Sequence, residues 1–264
     1  MRRTVLGIAL ALWIGGAISS AGPAPEPEKD WLIAFVEKGA RETGRIGWDG
    51  FGVGTWVEER LSEQGQAPRV GSPGTREMRH TLLERDEKGT KIRLQLREGG
   101  AKEWPTGSEY RLARVRLPDA EFTTEDLGSE EIERPDGKTT CTKVRWSRMA
   151  GGKVVGTRTA WRDSKGTLLR WEQADGDGWV VTYDVLRPSV THQVGTQALE
   201  CREIRKVSKP VPGSGAPYEF TGTELWCKAV PDFVVRSETT MTMQLGTKST
   251  STVQVRDLVA FEAK

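Results

Sequence analysis

The chain of 264 residues carries 39 Lys and Arg against 37 Asp and Glu, a formal net charge of +2. That balance argues against the concentrated basic surface that nucleic-acid binding demands. Charged residues at 29% and apolar ones at only 36% suit thin, half-exposed sheets better than a thick α/β core.

The first residues read as an export signal. Arg2 and Arg3 precede an apolar run from Val5 to Ile18, which ends at Ser19-Ser20-Ala21. The run is shorter than the roughly 20 residues that span a bilayer comfortably. No Ser or Thr precedes the Arg pair and no Phe-Leu-Lys follows it, so ordinary export is expected rather than the twin-arginine route. No Cys closes the run, so no lipid anchor is expected. Cleavage after Ala21 leaves residues 22–264 as the mature chain. Two Arg leave with residues 1–21, giving 37 basic and 37 acidic residues. The expected location is the periplasm or the extracellular space. The protein is not expected to be an integral membrane protein.

After the Pro-rich leader, Trp31, Leu32, Phe35 and Val36 recur at helical spacing, with acids before them and Gly44 as a stop. The pattern predicts one helix over about 28–42. From residue 50 onward the pattern changes to strands. "KIRLQLRE" (91–98) alternates Ile92, Leu94 and Leu96 with polar residues, and "WVVTYDVL" (179–186) alternates in the same way. "RLARVRL" (111–117) reads as a strand with one solvated face. "EKG", "RPDG", "AGG", "SKG", "ADGDG" and "PVPGSGAP" separate the runs as hairpin and turn signals. With no Asn in the chain, Gly and Asp supply the turns, and no N-glycosylation acceptor exists. The expected fold is all-β: a curved antiparallel meander or half-barrel of about 12 strands with one N-terminal helix.

One sentence is written twice. "GTRTAWRDSKGTLLRWE" (156–172) and "GTELWCKAVPDFVVRSE" (222–238) each open Gly-Thr and carry a Trp four or five residues on. Both then cross a turn and end in two aliphatics, Arg, one residue and Glu. A weaker copy begins at "VGTWVEERL" (53–61). Internal repetition of a four-stranded unit accounts for this, with units at about 50–118, 128–186 and 187–262 in series within a single β domain, residues 22–264. "CTKVRW", "AWRDSKGTLLRWE", "ECREI" and "LWCKAVPDFVVRSE" carry a resemblance over roughly residues 128–260. The pattern resembles secreted bacterial repeat proteins of unknown function, whose curved sheet is similar to the lipoprotein-carrier (LolA/LolB-like) half-barrels. That resemblance implies a curved antiparallel sheet with helix packed on its concave side.

Little in the sequence points to catalysis. His80 and His192 lie in separate units without a metal-ligand companion, and each reads as a sheet-surface residue. No nucleophile elbow, phosphate loop or Cys-x-x-Cys occurs. "ADGDGW" (174–179) lacks the further acids of a calcium loop and reads as a hairpin turn. No enzyme activity, cofactor or metal is expected. Of the Trp residues, Trp161 and Trp226 fall at matching places in the doubled stretch. With Trp31 and Phe35 they are the candidate apolar-face residues. Opposite residues in a hairpin share a constant index sum. A loop centred on Ser214 sets that sum at 428, which places Cys201 opposite Cys227 and predicts a disulfide. The Gly151-Gly152 turn places Cys141 opposite Arg162, leaving Cys141 as a free buried thiol. The expected function is non-catalytic binding or envelope support. The concave face would hold an apolar ligand, a lipid or a lipidated partner, or another envelope protein would dock there. The alternative is a protein–protein interaction module with a filled core and no small ligand.

Overall fold

The computed structural model describes residues 30–41, 46–65, 75–98, 100–113, 121–135, 137–175, 178–211, 218–245 and 248–264. Within them lie helix α1 (Trp31–Arg41), a 3-10 turn (Ile46–Trp48) and thirteen strands. The strands are β1 (Trp56–Gly65), β2 (Arg76–Asp86), β3 (Gly89–Glu98), β4 (Ser108–Ala113), β5 (Phe122–Arg134), β6 (Gly137–Ala150) and β7 (Lys153–Arg162). They continue as β8 (Leu168–Asp175), β9 (Trp179–Val194), β10 (Gln197–Pro210), β11 (Tyr218–Trp226), β12 (Val234–Leu245) and β13 (Lys248–Glu262). The class is all-β with one N-terminal helix, as the periodicity predicts, in thirteen strands where about 12 were expected. The export signal expected at residues 1–21 lies outside the described residues.

All thirteen strands form one antiparallel sheet in the order β4-β3-β2-β1-β13-β12-β11-β10-β9-β8-β7-β6-β5. This corrects the expectation of units in series. The first four strands attach to the last one, through β1 and β13, and the chain then passes from β4 at one edge to β5 at the other. The unit boundary expected at 186/187 falls inside the continuous strand β9. The β4-to-β5 passage also requires curvature. Laid flat, thirteen strands span twelve gaps of about 4.8 Å, or roughly 58 Å. Residues 114–121 separate β4 from β5, and their extended reach is about 30 Å. The two edges must therefore curl toward one another. Register shifts between Glu58/Glu59, Cys201/Glu203, Leu225/Trp226 and Arg148/Met149 supply the bends.

Two main cores hold the sheet. Leu32, Ile33, Val36 and Ala40 of α1 pack with Trp146, Ala160, Leu168, Trp171, Val185, Ile204 and Trp226. A second core joins Trp48, Val57, Leu82, Ile92 and Leu258 to Val194, Leu199, Cys201 and Cys227. At the β4 edge, packing gives way to charge. Arg111 bonds Asp86 and Glu84, while Lys91 and Arg93 bond Glu109. The Arg111 hydrogen bonds hold Glu84 and Asp86 below their ordinary carboxylate range, and those from Arg93 and Lys91 do the same for Glu109. A lowered folded value stabilises the fold above the unfolded value, about pH 4.5 for Glu, and that support is lost as pH falls through the folded value. Thermal melts should therefore show Tm dropping below about pH 4. Arg111→Met should flatten that acid limb, and an unchanged limb would show that these exposed pairs contribute nothing.

Candidate functional site

The register fixes which side chains share the helix-bearing face. Ala160 lies opposite Trp171, Trp171 opposite Tyr183, Tyr183 opposite Lys206, and Lys206 opposite Gly222. Because side chains alternate along a strand, Glu224 and Trp226 stand on the same face as Gly222. The face divides into three zones along the strands: a helix-covered floor, a polar band and a stretch that α1 does not cover.

The floor is aromatic and filled. Phe35 meets Trp226 at 5.5 Å and Phe233 at 5.1 Å between ring centroids, and Trp31 meets Phe233 at 5.3 Å. Trp171 stacks on Tyr183 at 4.3 Å and 7°. Phe233 reaches this cluster from a backbone conformation with φ of 65°, next to Asp232 at 60°. Positive φ is costly for an aromatic residue and persists only where the surroundings impose it. Here the Cys227 amide donates to the Phe233 carbonyl at 2.6 Å, and the Asp232 amide donates to the Gly47 carbonyl at 3.2 Å. A Cβ at Gly47 would stand 2.7 Å from the Asp232 Cα, so only glycine lets the two loops approach.

Asp30 locks α1 onto this floor. Its carboxylate caps the helix by accepting from the Leu32 amide at 2.9 Å, and it also accepts from the Leu168 amide at 3.0 Å. Arg202 donates to both of its oxygens, at 2.7 and 2.8 Å. Beside this pair opens a cleft of about 320 Å³, lined by residues that include Trp31, Cys201, Arg202, Trp226 and Lys228.

Of the four candidate apolar-face residues, the structure gathers Trp31, Phe35 and Trp226, while Trp161 stands elsewhere. Trp161 follows Ala160 and so points to the opposite face, packing with Ile132 and Cys141. Its indole donates to Glu130 at 3.0 Å. The apparent match with Trp226 fails by one residue: Trp161 lies five after Gly156, Trp226 four after Gly222, and a single step flips the face. What coincides across the doubled stretch is a cross-strand pair. Arg170 sits opposite Asp184, and Arg236 sits opposite Asp257.

No sequence motif marks the polar band. Lys206 pairs with Glu224 at 3.2 Å, and the Trp226 indole donates to the other Glu224 oxygen at 2.6 Å. Arg256 pairs with Glu59, whose second oxygen lies 3.8 Å from His80 Nε2. Burial opposes the charge on Lys206, but the Glu224 carboxylate more than offsets it and leaves the ammonium above its ordinary value. His80, expected on the sheet surface, is buried, because Glu59 and the second core close over it. His192 is half-buried. Among the described residues no group of His, Cys, Asp and Glu has metal-binding geometry. No helix of the described residues is long and apolar enough to cross a membrane.

The β10–β11 ladder runs from Arg202 opposite Trp226 to Ser208 opposite Phe220, an index sum of 428 throughout. Continued by one residue, it brings Cys201 to Cys227. All three cysteines are buried thiols in the structure. Hydrogen bonding between Cys201 and Cys227 pushes the Cys201 thiol up, reinforced by burial, and pulls Cys227 down against burial. Cys141 is displaced from the position expected for it. A bulge at Arg148/Met149 shifts the β6–β7 register, so Thr142, not Cys141, faces Arg162. Burial raises the Cys141 thiol.

No family model matches the chain, and no curated protein matches it. Among solved structures, a crystal structure of MucB in complex with MucA(peri) covers 83% of this chain and 97% of its own, at 9% identity and a TM-score of 0.16. The Pseudomonas aeruginosa MucA/MucB complex covers 89% and 98%, at 10% identity and a TM-score of 0.12. Scores this low describe no shared superposition.

Proposed function

We propose that this chain is an exported, non-catalytic binding module, a single domain from residue 22 onward, which docks a partner protein and does not carry lipid beneath a movable lid. The solidity of the floor under α1 carries this reading. Leu32 and Val36 of the helix and Ala160 of the sheet are 0% exposed, and Trp171 is 1% exposed. A lid over an acyl site would leave room beneath it, whereas this helix fills its own site. The His80–Glu59 pair is buried, which suits a structural role better than proton transfer to a substrate. We further propose that Cys201 and Cys227 close to a disulfide after export, passing two protons and two electrons to an external disulfide by thiol exchange.

Deletion of residues 22–44 tests the reading. Burying Leu32, Ile33 and Val36 is worth about 1.5–3 kcal/mol each, comparable in sum with the stability of a whole domain. The truncated chain is therefore expected to lose cooperative unfolding in urea. A truncated chain that stays folded and binds a fluorescent fatty acid more tightly than the intact one would establish the carrier reading instead.

A further inference from the structure

Beyond the polar band, the helix-bearing face continues in apolar side chains. Val181 lies in register with Ser208, Ser208 with Phe220 and Phe220 with Met241, while Tyr218 lies opposite Met243. The Trp179 ring packs on Tyr218 at 5.1 Å and on Phe220 at 5.9 Å. Val181, Tyr218, Phe220, Met241 and Met243 are half-buried and belong to neither main core. Helix α1 makes its main contacts with β6, β7 and β8, and it meets β11 at Trp226, the far end of that strand from Tyr218 and Phe220. Aromatic rings and methionines together make an apolar surface that adapts to side chains laid on it.

The border of this patch is charged in one sense. In each ion pair of the polar band the acid is buried and the cationic side chain is partly exposed. The Lys206 side chain is 34% exposed against 8% for Glu224, and Arg256 is 30% exposed against 3% for Glu59. Gly222, directly opposite Lys206, puts no side chain between them, and a Cβ there would lie 2.2 Å from the Glu238 carbonyl oxygen. An occupant of the patch therefore borders two partly exposed cationic side chains. Lys206 is on β10 and Arg256 on β13, three strand spacings or about 14 Å apart.

Resting on the binding-module reading, we propose that the partner docks here through an extended segment with apolar side chains and two carboxylates. The apolar side chains cover Phe220, Met241 and Met243, and the carboxylates reach Lys206 and Arg256. A single-chain amphiphile has one headgroup and cannot serve both cations. An extended chain spans about 14 Å in four residues, so acids four positions apart fit.

The test uses the full mature protein and three probes in calorimetric titrations. These are a ten-residue Leu/Ser peptide with two glutamates four positions apart, the same peptide with lysines in their place, and dodecanoate. The glutamate peptide is expected to bind at least tenfold more tightly than the lysine peptide, and to weaken with added salt. Met241→Glu puts a carboxylate into the patch and should weaken glutamate-peptide binding at least tenfold. Val154→Glu, at an exposed site on β7, should leave it unchanged. Lys206→Arg keeps the charge and should retain binding. Equal affinity for the two peptides, binding indifferent to Met241→Glu, or binding of dodecanoate alone would overturn the proposal. If neither peptide binds while deletion of residues 22–44 still unfolds the chain, this assignment fails and the binding-module reading survives.

Discussion

Asp30→Ala is expected to lower stability by about 4–6 kcal/mol, the largest effect of any single substitution considered. Two losses combine. A helix cap is worth about 1 kcal/mol. The second loss is the partner of Arg202, whose side chain is only 17% exposed. Leaving a buried charge uncompensated costs about 3–5 kcal/mol. The Leu168 amide also loses its acceptor, which unlatches β8 from the helix start. Urea denaturation of four proteins resolves the contributions: wild type, Asp30→Ala, Arg202→Met and the double variant. The double variant should recover much of the loss, because the stranded guanidinium is gone. Equal stability of wild type and Asp30→Ala would show that α1 is held by its apolar side alone.

The second large effect is expected at the cysteine pair. Closing Cys201 to Cys227 cross-links a loop of about 26 residues, which chain entropy values at roughly 3–4 kcal/mol. The positive-φ residues Asp232 and Phe233 lie just outside that loop, only a few positions beyond Cys227. The bridge would hold a strained segment at its base. Non-reducing peptide mapping of exported protein should recover the Cys201–Cys227 pair, with Cys141 alkylated only after unfolding. Cys227→Ser should lower the urea midpoint in the oxidised protein and change it little under reductant. Recovery of Cys141 in a bridge would contradict the β10–β11 register.

Much of this fold is legible along the chain. The helix shows itself through Trp31, Leu32, Phe35 and Val36 at helical spacing, and the strands through alternation as in Ile92, Leu94 and Leu96. The Cys201–Cys227 register follows from one turn position, because that hairpin has no bulge between Ser208 and Arg202. The neighbouring prediction for Cys141 misses by one residue because a bulge does intervene, and bulges leave no reliable mark in sequence. Trp161 departs from its expected face for a related reason: a one-residue offset leaves two motifs alike in sequence but reverses the side of the sheet. The pairing of β1 with β13 depends on contacts some 200 residues apart, as between Trp56 and Glu262, which no local pattern encodes. The polar band is hidden in the same way. Glu59, His80, Lys206, Glu224 and Arg256 are ordinary polar and charged residues in sequence, and only the sheet order makes them neighbours.

Native-state hydrogen exchange of the α1 amides tests most directly whether the helix is a permanent part of the core. If it is, the amides of Val36 to Ala40 should open with the same free energy as those of the central strands β8 to β10, and should lose protection together with them as urea is added. Exchange of the helix through a separate opening several kcal/mol cheaper than that of the strands, with the strands still protected, would make α1 a lid and contradict the account.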